Sequence, residues 1–208
     1  NYNGKDFFSF YVVDAGNARS SSANVDITVI PVNDPPRATV ANPVAGAEDQ
    51  WNPITLMVDD IDKDGLQIKF DWDYLNGTLC LVNATGLGAS DDCPKDSIIE
   101  KGKWYPATFS PSPLVMRVWF RGDPNLFTCT DQHLSTFDCP VTSTFKFQGR
   151  DNGSPALTSN VATVQVYIFD VNDPPVVKDL VAPYTNEDKM IIFDLKPQVY
   201  DVEDPQLK

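Results

Sequence analysis

Short runs in which apolar and polar residues alternate recur along the chain and predict β-strands. In residues 162–169 the apolar side chains Ala162, Val164, Val166 and Ile168 occupy every second position. Successive side chains of a strand point to opposite faces of a sheet, so this pattern predicts a half-buried strand. Similar runs are predicted as strands at residues 7–13, 54–58, 66–72, 115–120 and 143–147.

The segments between these runs are rich in Pro, Gly, Asn and Asp, which favour turns. No stretch sustains a helical period with capping residues, and the 17 prolines oppose long helices. We therefore expect an all-β protein built as an antiparallel β-sandwich.

A repeated motif divides the chain. The sequence Val-Asn-Asp-Pro-Pro at residues 32–36 recurs at residues 171–175, a period of 139 residues. Repetition at a fixed period is the sequence signature of tandem structural modules. Further matches accompany the motif: residues 23–30 with 162–169, Glu48-Asp49 with Glu187-Asp188, and residues 60–66 with 201–207 across a two-residue gap.

The repeat predicts three segments. Residues 37–174 form one complete module, which follows the closing strands of a module at 1–36 and precedes the opening strands of another at 175–208. A typical sandwich needs ~100 residues, so the middle module is expected to carry an insertion at about 75–142. We expect neither end segment to fold alone, and we interpret the chain as a processed or internal piece of a longer protein.

The charge balance excludes one class of partner. Asp and Glu total 29 against 16 Lys and Arg, which gives a formal charge of -13. Nucleic-acid binding needs a basic surface, so we expect no nucleic-acid partner and expect cations instead. No run approaches the roughly 18 apolar residues of a membrane-spanning helix, so no membrane span is expected in this segment.

The four cysteines predict disulfides rather than a zinc site. Cys80 and Cys93 are 13 residues apart, and Cys129 and Cys139 are 10 apart, whereas zinc sites use short Cys-x-x-Cys pairs. Pairing of nearest neighbours, one of three possible connectivities, closes short loops, so we expect the bonds Cys80–Cys93 and Cys129–Cys139. Disulfides imply an oxidising, extracellular environment, either secreted or in a cell-surface ectodomain.

Three acceptor sequons fit the same environment. They begin at Asn76, Asn83 and Asn152, and each has the Asn-x-Ser/Thr pattern of N-linked glycosylation. Two of them lie beside Cys80 in the predicted insertion. We expect N-linked glycans on this segment.

Clusters of acidic residues near the repeated motif indicate calcium. Residues 170–173 read Asp-Val-Asn-Asp, and Asp60, Asp62 and Asp64 occupy alternate positions. Calcium takes six to eight oxygen ligands, mainly from carboxylates, amides and backbone carbonyls. The alternative is that these segments are solvated turns, because Asn and Asp favour turns through local hydrogen bonds.

The closing segment of the middle module resembles that of a cadherin repeat. Residues 150–157, Arg-Asp-Asn-Gly-Ser-Pro-Ala-Leu, precede a Val-rich strand and then Asp-Val-Asn-Asp-Pro-Pro at 170–175. Asn-Glu-Asp at 186–188 and Asp-x-Glu at 201–203 also resemble the tandem modules of this family. The resemblance covers both module boundaries but not the insertion. It implies immunoglobulin-like β-sandwich modules whose junctions are rigidified by calcium.

The same resemblance implies which residues bind calcium. At the first junction they are Asn33, Asp34, Asp60, Asp62 and Asp151. At the second junction they are Glu48, Asp170, Asn172, Asp173, Asp201 and Glu203. By the same logic Asp14 serves a junction further upstream.

Two departures from the family pattern change the expected number of ions. Pro31 stands where the family has the first aspartate of the linker, so the first junction loses a carboxylate. Pro35 and Pro174 stand where typical cadherins have an asparagine, so both junctions are affected.

The sequence gives little support for catalysis. The one histidine, His133, lies in the predicted insertion, which disfavours a His-dependent triad. Asp71 and Asp73 share a strand face and have the residue types of a glycosidase pair. We expect no enzyme and favour a structural or adhesive rod. The alternative is a carbohydrate-binding module that stacks sugars on Trp51, Trp72, Trp104 and Trp119.

Two forms of rod stay open. An adhesion ectodomain predicts a membrane anchor elsewhere in the gene, whereas a fibre predicts regular self-contacts. Residues 1–36 and 175–208 together match the middle module without its insertion. In a fibre, the opening strands of one copy are expected to pair with the closing strands of the next, which removes exposed strand edges.

Overall fold

The computed structural model describes residues 2–41, 43–81, 92–129, 139–181 and 184–201, and its fold is all β, as predicted. Two single-turn 3-10 helices, Lys95–Ser97 and Lys196–Gln198, accompany the strands of these residues. The strands are β1 (Gly4–Phe10), β2 (Ala23–Val29), β3 (Arg37–Val40), β4 (Val44–Ala47), β5 (Asn52–Asp59), β6 (Leu66–Asp71), β7 (Gly77–Cys80), β8 (Trp104–Ser110), β9 (Leu114–Gly122), β10 (Ser143–Asp151), β11 (Ala162–Phe169), β12 (Val176–Val177) and β13 (Val199–Tyr200).

Strands β3 to β11 form two sheets around one core, and we call this part, residues 37–169, the central body. One sheet has five strands in the order β4-β11-β10-β6-β8, and the other has four in the order β3-β5-β9-β7. Neighbouring strands are antiparallel except β4, which runs parallel to β11.

The core follows from the alternation of side chains along the strands. Every second residue of β5 and of β10 is buried, so each strand presents one apolar face to the interior. Phe145 and Phe147 of β10 belong to the same buried cluster as Leu56 and Val58 of β5. A Cβ atom on Gly149 would collide with the side chain of Val58, so glycine permits the two sheets to approach closely here.

The segment assigned to an insertion, 75–142, is divided differently by the structure. Strands β7, β8 and β9 all fall within it, and β9 lies between β5 and β7 in the four-stranded sheet. Val118 and Phe120 of β9 are fully buried in the core. The middle of this segment is therefore part of the sandwich, and only the connections around its strands are additional.

Strands β1 and β2 repeat the hairpin of β10 and β11. Phe8 pairs with Val25 in the first hairpin as Phe145 pairs with Val164 in the second. Isolated bridges, Val13 with Arg19 and Arg150 with Thr158, close the two hairpins at equivalent places.

The loops of the two hairpins also agree. Asp14 Oδ1 accepts hydrogen bonds from the backbone N–H groups of Gly16 and Ala18, each at 2.8 Å. Asp151 Oδ1 accepts the corresponding bonds from Gly153 at 3.1 Å and Leu157 at 2.8 Å. The two hairpins differ in burial, because Phe8 is 52% exposed whereas its counterpart in β10 is fully buried.

The last described segment repeats the start of the central body. Val177 pairs with Val199 as Ala38 pairs with Val58, which places the β12–β13 pair in the register of β3 and β5. Both segments have an aspartate with a left-handed backbone after their glutamate: Asp49 at φ 55° and Asp188 at φ 58°. The repeat seen in the sequence is thus also a repeat of strand register and turn geometry.

Both predicted disulfides are confirmed. Cys80 bonds Cys93 across a Cα separation of 6.0 Å, and Cys129 bonds Cys139 across 5.3 Å. The two bonds indicate an oxidising environment. Among the described residues, no helix has the length and apolar character needed to cross a membrane.

Candidate functional site

Acidic side chains from three segments meet at one end of the central body, which we call the first end. The linker 31–36 contributes Asn33 and Asp34, the β5–β6 loop contributes residues 60–64, and β10 contributes its last residue, Asp151. Asp62 Oδ2 accepts a hydrogen bond of 2.7 Å from the backbone N–H of Asp34. This bond ties the linker to the β5–β6 loop.

Asp60 is a buried carboxylate with an unsatisfied oxygen. Its side chain is 1% exposed, and Oδ1 accepts the backbone N–H of Asp62 at 2.8 Å. Oδ2 is buried and has no hydrogen-bond partner among the residues described. A buried polar atom without a partner is rare in folded proteins, so this oxygen is available to a ligand that carries positive charge.

Asp151 is fully buried and joins the linker to β10. Its Oδ2 accepts a hydrogen bond of 3.1 Å from Asn33 Nδ2, which also donates to the Pro155 carbonyl at 2.9 Å. The next residue, Asn152, accepts the backbone N–H of Gly65 through Oδ1 at 2.7 Å. Asn33 and Asp151 are 118 positions apart in sequence, so the fold alone brings them together.

Carboxylates crowd one another at the first end. Partial burial, and then the carboxylates of Asp60, Asp151 and Asp62, raise the pKa of Asp64 above its ordinary value. Carboxylates this close repel one another unless a cation or a proton intervenes. An open cavity of about 400 Å³ adjoins the group, and Asn33, Asp62 and Asp64 are among its lining residues.

A second group of carboxylates lies at the opposite boundary of the central body, the second end. Glu48 follows β4, is 3% exposed, and accepts the backbone N–H of Val171 through Oε1 at 2.7 Å. Burial, and then the adjacent carboxyl of Asp170, raise the pKa of Glu48 to about 7. Ionisation of both carboxyls therefore places two like charges side by side where water is largely excluded.

Asn125, at the second end, was not anticipated from the sequence. Its amide nitrogen, when turned toward them, lies 3.3 Å from both Asp49 Oδ2 and Asp173 Oδ2. The backbone N–H of Asn125 also donates to Asp49 Oδ1 at 3.3 Å. Asn125 thus links the turn after β4 to the second linker, residues 170–175. Its left-handed backbone, φ 54°, fits the Asp-Pro-Asn turn that follows β9. This turn motif is the feature of the sequence from which Asn125 could have been identified.

The remaining predicted ligands of the second junction are Asn172, Asp201 and Glu203. Asn172 is exposed, and its side chain donates to the Asp173 carbonyl at 3.2 Å. Asp201 follows β13 as Asp60 follows β5, and Glu203 lies outside the described residues. In the described part of the chain, no three Asp, Glu, His or Cys side chains already form a metal-binding group. Each end therefore has closely spaced carboxylates without a preformed cage.

The Cys129–Cys139 disulfide is anchored on the second end. Cys129 is fully buried, its backbone N–H donates to the Ile168 carbonyl at 3.2 Å, and its carbonyl accepts the N–H of Asp170 at 2.8 Å. Cys129 thus forms a bridge to Phe169 at the end of β11, beside the linker 170–175. Its position fixes the backbone of Asp170, whose carboxyl lies next to Glu48.

Replacing Cys129 and Cys139 together by Ala is expected to loosen Asp170 and Val171. Opening this loop returns about 3 kcal/mol of entropy to the unfolded chain, and it also frees the backbone that binds Asp170. We expect amide hydrogen exchange at these two residues to accelerate by about tenfold relative to β6. The matched control replaces Cys80 and Cys93, whose loop is of similar size. Cys80 pairs with β9 and with Ile98, and in the described part of the chain neither cysteine bonds the linker 170–175. Equal acceleration in both variants would contradict the anchoring role.

Three of the four tryptophans contact the protein itself, and Trp119 of β9 is half-buried. Sugar binding by the tryptophans stays a prediction. Trp51 is buried, and Trp72 packs against the core. The ring of Trp104 is covered by the guanidinium of Arg150 at 4.3 Å. Asp71 and Asp73, the possible glycosidase pair, bind Lys101 at 3.1 Å and Lys146 at 3.5 Å respectively.

The sequon asparagines also have defined surroundings. Asn76 Nδ2 donates to the Thr142 carbonyl at 3.0 Å, and Asn152 Oδ1 accepts the backbone N–H of Gly65 at 2.7 Å. Asn83 lies outside the described residues. Glycosylation of the three sites stays a prediction.

Comparison with protein-family models and with curated proteins finds no match to this chain.

Proposed function

We propose that this chain is a non-catalytic stretch of an extracellular structural or adhesive rod, built of cadherin-like modules whose junctions bind calcium. The observation that carries the proposal is Asp60 Oδ2, a buried carboxylate oxygen without a hydrogen-bond partner among the described residues, within a group of linker and loop carboxylates. A calcium ion would satisfy this oxygen and offset the repulsion of its neighbours.

The strand order supports the modular part of the proposal. The sheet β3-β5-β9-β7 and the strands β6, β10 and β11 of the other sheet have the order of an immunoglobulin-like sandwich. The hairpin β1–β2 and the pair β12–β13 repeat the closing and opening elements of the central body. Tandem modules explain both repeats.

The residues present fit calcium better than a softer metal. The first end offers only oxygen ligands: carboxylates of Asp60, Asp62, Asp64 and Asp151, and the amide oxygen of Asn33 after reorientation. The second end offers Glu48, Asp170 and Asp173. Hard oxygen donors select calcium or magnesium, and their number and spread over flexible loops favour calcium. Bound calcium supplies the charge that lets linker and loops act as one unit.

The head-to-tail fibre receives less support. Strand β9 is central to the four-stranded sheet, and by the repeat neither residues 1–36 nor residues 175–208 contain its counterpart. A module assembled from those two segments would lack the strand that pairs with β5. We therefore favour tandem modules within one chain over completion by a second copy.

Calcium is expected to stiffen the linkers, and its removal should let them pivot at residues 31–36 and 170–175. The test is calorimetric calcium binding together with small-angle scattering of the 208-residue chain, with and without chelator. We expect binding at or below about 1 mM, the range of extracellular calcium modules, and a shorter average length after chelation.

A matched pair of variants sharpens this test. Asp173→Asn removes a linker carboxylate of the second end and should weaken calcium binding there. Asp188→Asn changes the turn of segment 175–208 that corresponds to the turn of Asp49, and it should leave calcium binding at the second end unchanged. No binding at millimolar calcium, with a length that chelation leaves unchanged, would mean that the acidic segments are only turns.

A further inference from the structure

The outer surface of the four-stranded sheet carries unpaired arginines around an apolar centre. Alternate residues of β3, β5 and β9 are buried, so the residues between them share the outer face. The register aligns them across the sheet: Met57 lies opposite Val115, Arg117 opposite Thr55, and Trp119 opposite Pro53. We call this surface the arginine face; it comprises Arg37, Met57, Val115, Arg117, Trp119 and Arg121.

The three arginines of this face have no partner in the described part of the chain, unlike the two other arginines of the protein. Arg150 donates two hydrogen bonds to Gln67 Oε1, at 2.9 Å and 2.7 Å, and stacks on Trp104. Arg19 stacks on Tyr11 at 3.5 Å. None of Arg37, Arg117 and Arg121 forms an ion pair or a ring contact with a described residue.

The carboxylate of Asp59, which lies on the arginine face, is already neutralised. Asp59, opposite Arg37, accepts Lys63 Nζ at 3.2 Å and the Ser112 hydroxyl at 2.8 Å. Donation from Ser112, and then from Lys63, lowers the pKa of Asp59, so the carboxylate stays ionised and occupied. The residues that define the face therefore carry net positive charge, which is greatest at Arg117, since Asp34 lines a cavity with Arg37 and Asp92 and Asp123 line one with Arg121. The chain as a whole has a formal charge of -13.

We propose that the arginine face is a lateral docking surface for an acidic surface of a second copy of this chain. Exposed Met57 and Val115 supply an apolar centre, being 40% and 57% exposed, and the arginines flank it. Arg, Met and Trp are the residue types enriched at protein interfaces. Charge complementarity identifies the occupant, since the remaining surface of a neighbouring copy carries the excess of negative charge.

The geometry of the sheet limits the contact. Two arginine faces repel each other, so the contact joins different surfaces of the two copies and is heterologous. β5 and β9 have eight and nine residues, and β3 and β7 have four each. With strands ~4.8 Å apart the face presents roughly 400 Å² per partner, the size of a weak, transient interface. A single contact is expected to be weak, with a dissociation constant of about 0.1 mM, and to gain strength when several modules engage together.

Sedimentation velocity of the full chain tests this proposal, in chelator so that the outcome does not depend on calcium. We expect concentration-dependent association at about 20 mM salt that weakens at about 300 mM, because exposed charges are screened. Arg117→Glu should weaken association at least about tenfold, and Val115→Ser by less. The control is Lys146→Glu, which changes net charge equally on the outer face of the five-stranded sheet and should leave association within about twofold.

Two outcomes would overturn the proposal. One is a wild-type chain that stays monomeric up to about 1 mM at low salt. The other is an equal loss of association in Arg117→Glu and Lys146→Glu, which would reflect net charge alone. Binding of heparin, a polyanionic glycan, is measured in the same experiments. If the chain does not self-associate but binds heparin through Arg117, the face recognises a glycan and the protein-docking proposal is wrong.

Discussion

Replacing Glu48 by Gln is expected to stabilise the calcium-free protein at pH 8 by about 3 kcal/mol. Burial and the Asp170 carboxyl raise the pKa of Glu48 from 4.5 to about 7, and a pKa difference of one between the folded and unfolded states corresponds to ~1.4 kcal/mol. Above pH 7 the folded protein must hold this carboxylate ionised and desolvated beside Asp170. Gln removes the charge and keeps an oxygen that accepts the Val171 N–H.

The pH dependence of the wild type follows from the same raised pKa. Between pH 4.5 and about 7 the folded state binds more protons at Glu48 than the unfolded state does, so the free energy of unfolding falls as the pH rises through this window. Above this window the destabilisation is complete, and below it the destabilisation is absent. Glu48→Gln should show no such decline from this residue.

Calcium is expected to make the wild type more stable than Glu48→Gln, the opposite of the order without calcium. If Glu48 binds calcium, saturating calcium should stabilise the wild type and have little effect at the second end of Glu48→Gln. Urea denaturation at pH 5 and pH 8, with calcium and with chelator, measures all four combinations. Glu100→Gln is the control, because Glu100 is an exposed carboxylate that forms an ion pair with Lys103. A wild type whose stability does not decline between pH 5 and pH 8 would show that Glu48 titrates normally.

Replacing Asp151 by Ala is expected to destabilise the central body by about 3 to 4 kcal/mol and to abolish calcium binding at the first end. The variant leaves three donors without their acceptor: the N–H groups of Gly153 and Leu157, and Asn33 Nδ2. These donors are partly buried. Each one that loses its partner costs about 1 to 3 kcal/mol, with partial recovery where water enters.

The chain contains its own control for this substitution. Asp14 accepts the same two backbone bonds in the first hairpin, but it is exposed and has no counterpart of Asn33 among the described residues. Water replaces its bonds at little expense, so Asp14→Ala should change the free energy of unfolding by less than about 1 kcal/mol. Thermal unfolding of both variants gives the comparison. Similar effects at the two positions would show that burial and the linker contact at Asp151 contribute nothing.

Local patterns predicted β5, β6, β9, β10 and β11, whereas β3, β4, β7 and β8 were not predicted and the first strand lies at Gly4–Phe10 rather than at 7–13. The alternation in residues 143–147 and 162–169 identified β10 and β11 and the side chains that face the core, because the period of a strand is set by backbone geometry alone. The disulfides were predictable because each pair closes a short loop. The insertion was placed less well: a length comparison cannot distinguish added loops from β7, β8 and β9, which pair with strands distant in sequence.

The sequence by itself determined the main core strands β5, β6, β9, β10 and β11 with their buried faces, the repeat and the residue types that gather at the module boundaries. Only the tertiary structure decided which of those residues meet. Asp151 and Asn33, or Glu48 and Asp170, are joined across more than a hundred residues by sheet pairing, and burial then raises the pKa of Glu48. The arginine face arises in the same way, because Arg37, Arg117 and Arg121 become neighbours only through the pairing of β3, β5, β9 and β7. Such contacts depend on strand order and register, which no local pattern encodes.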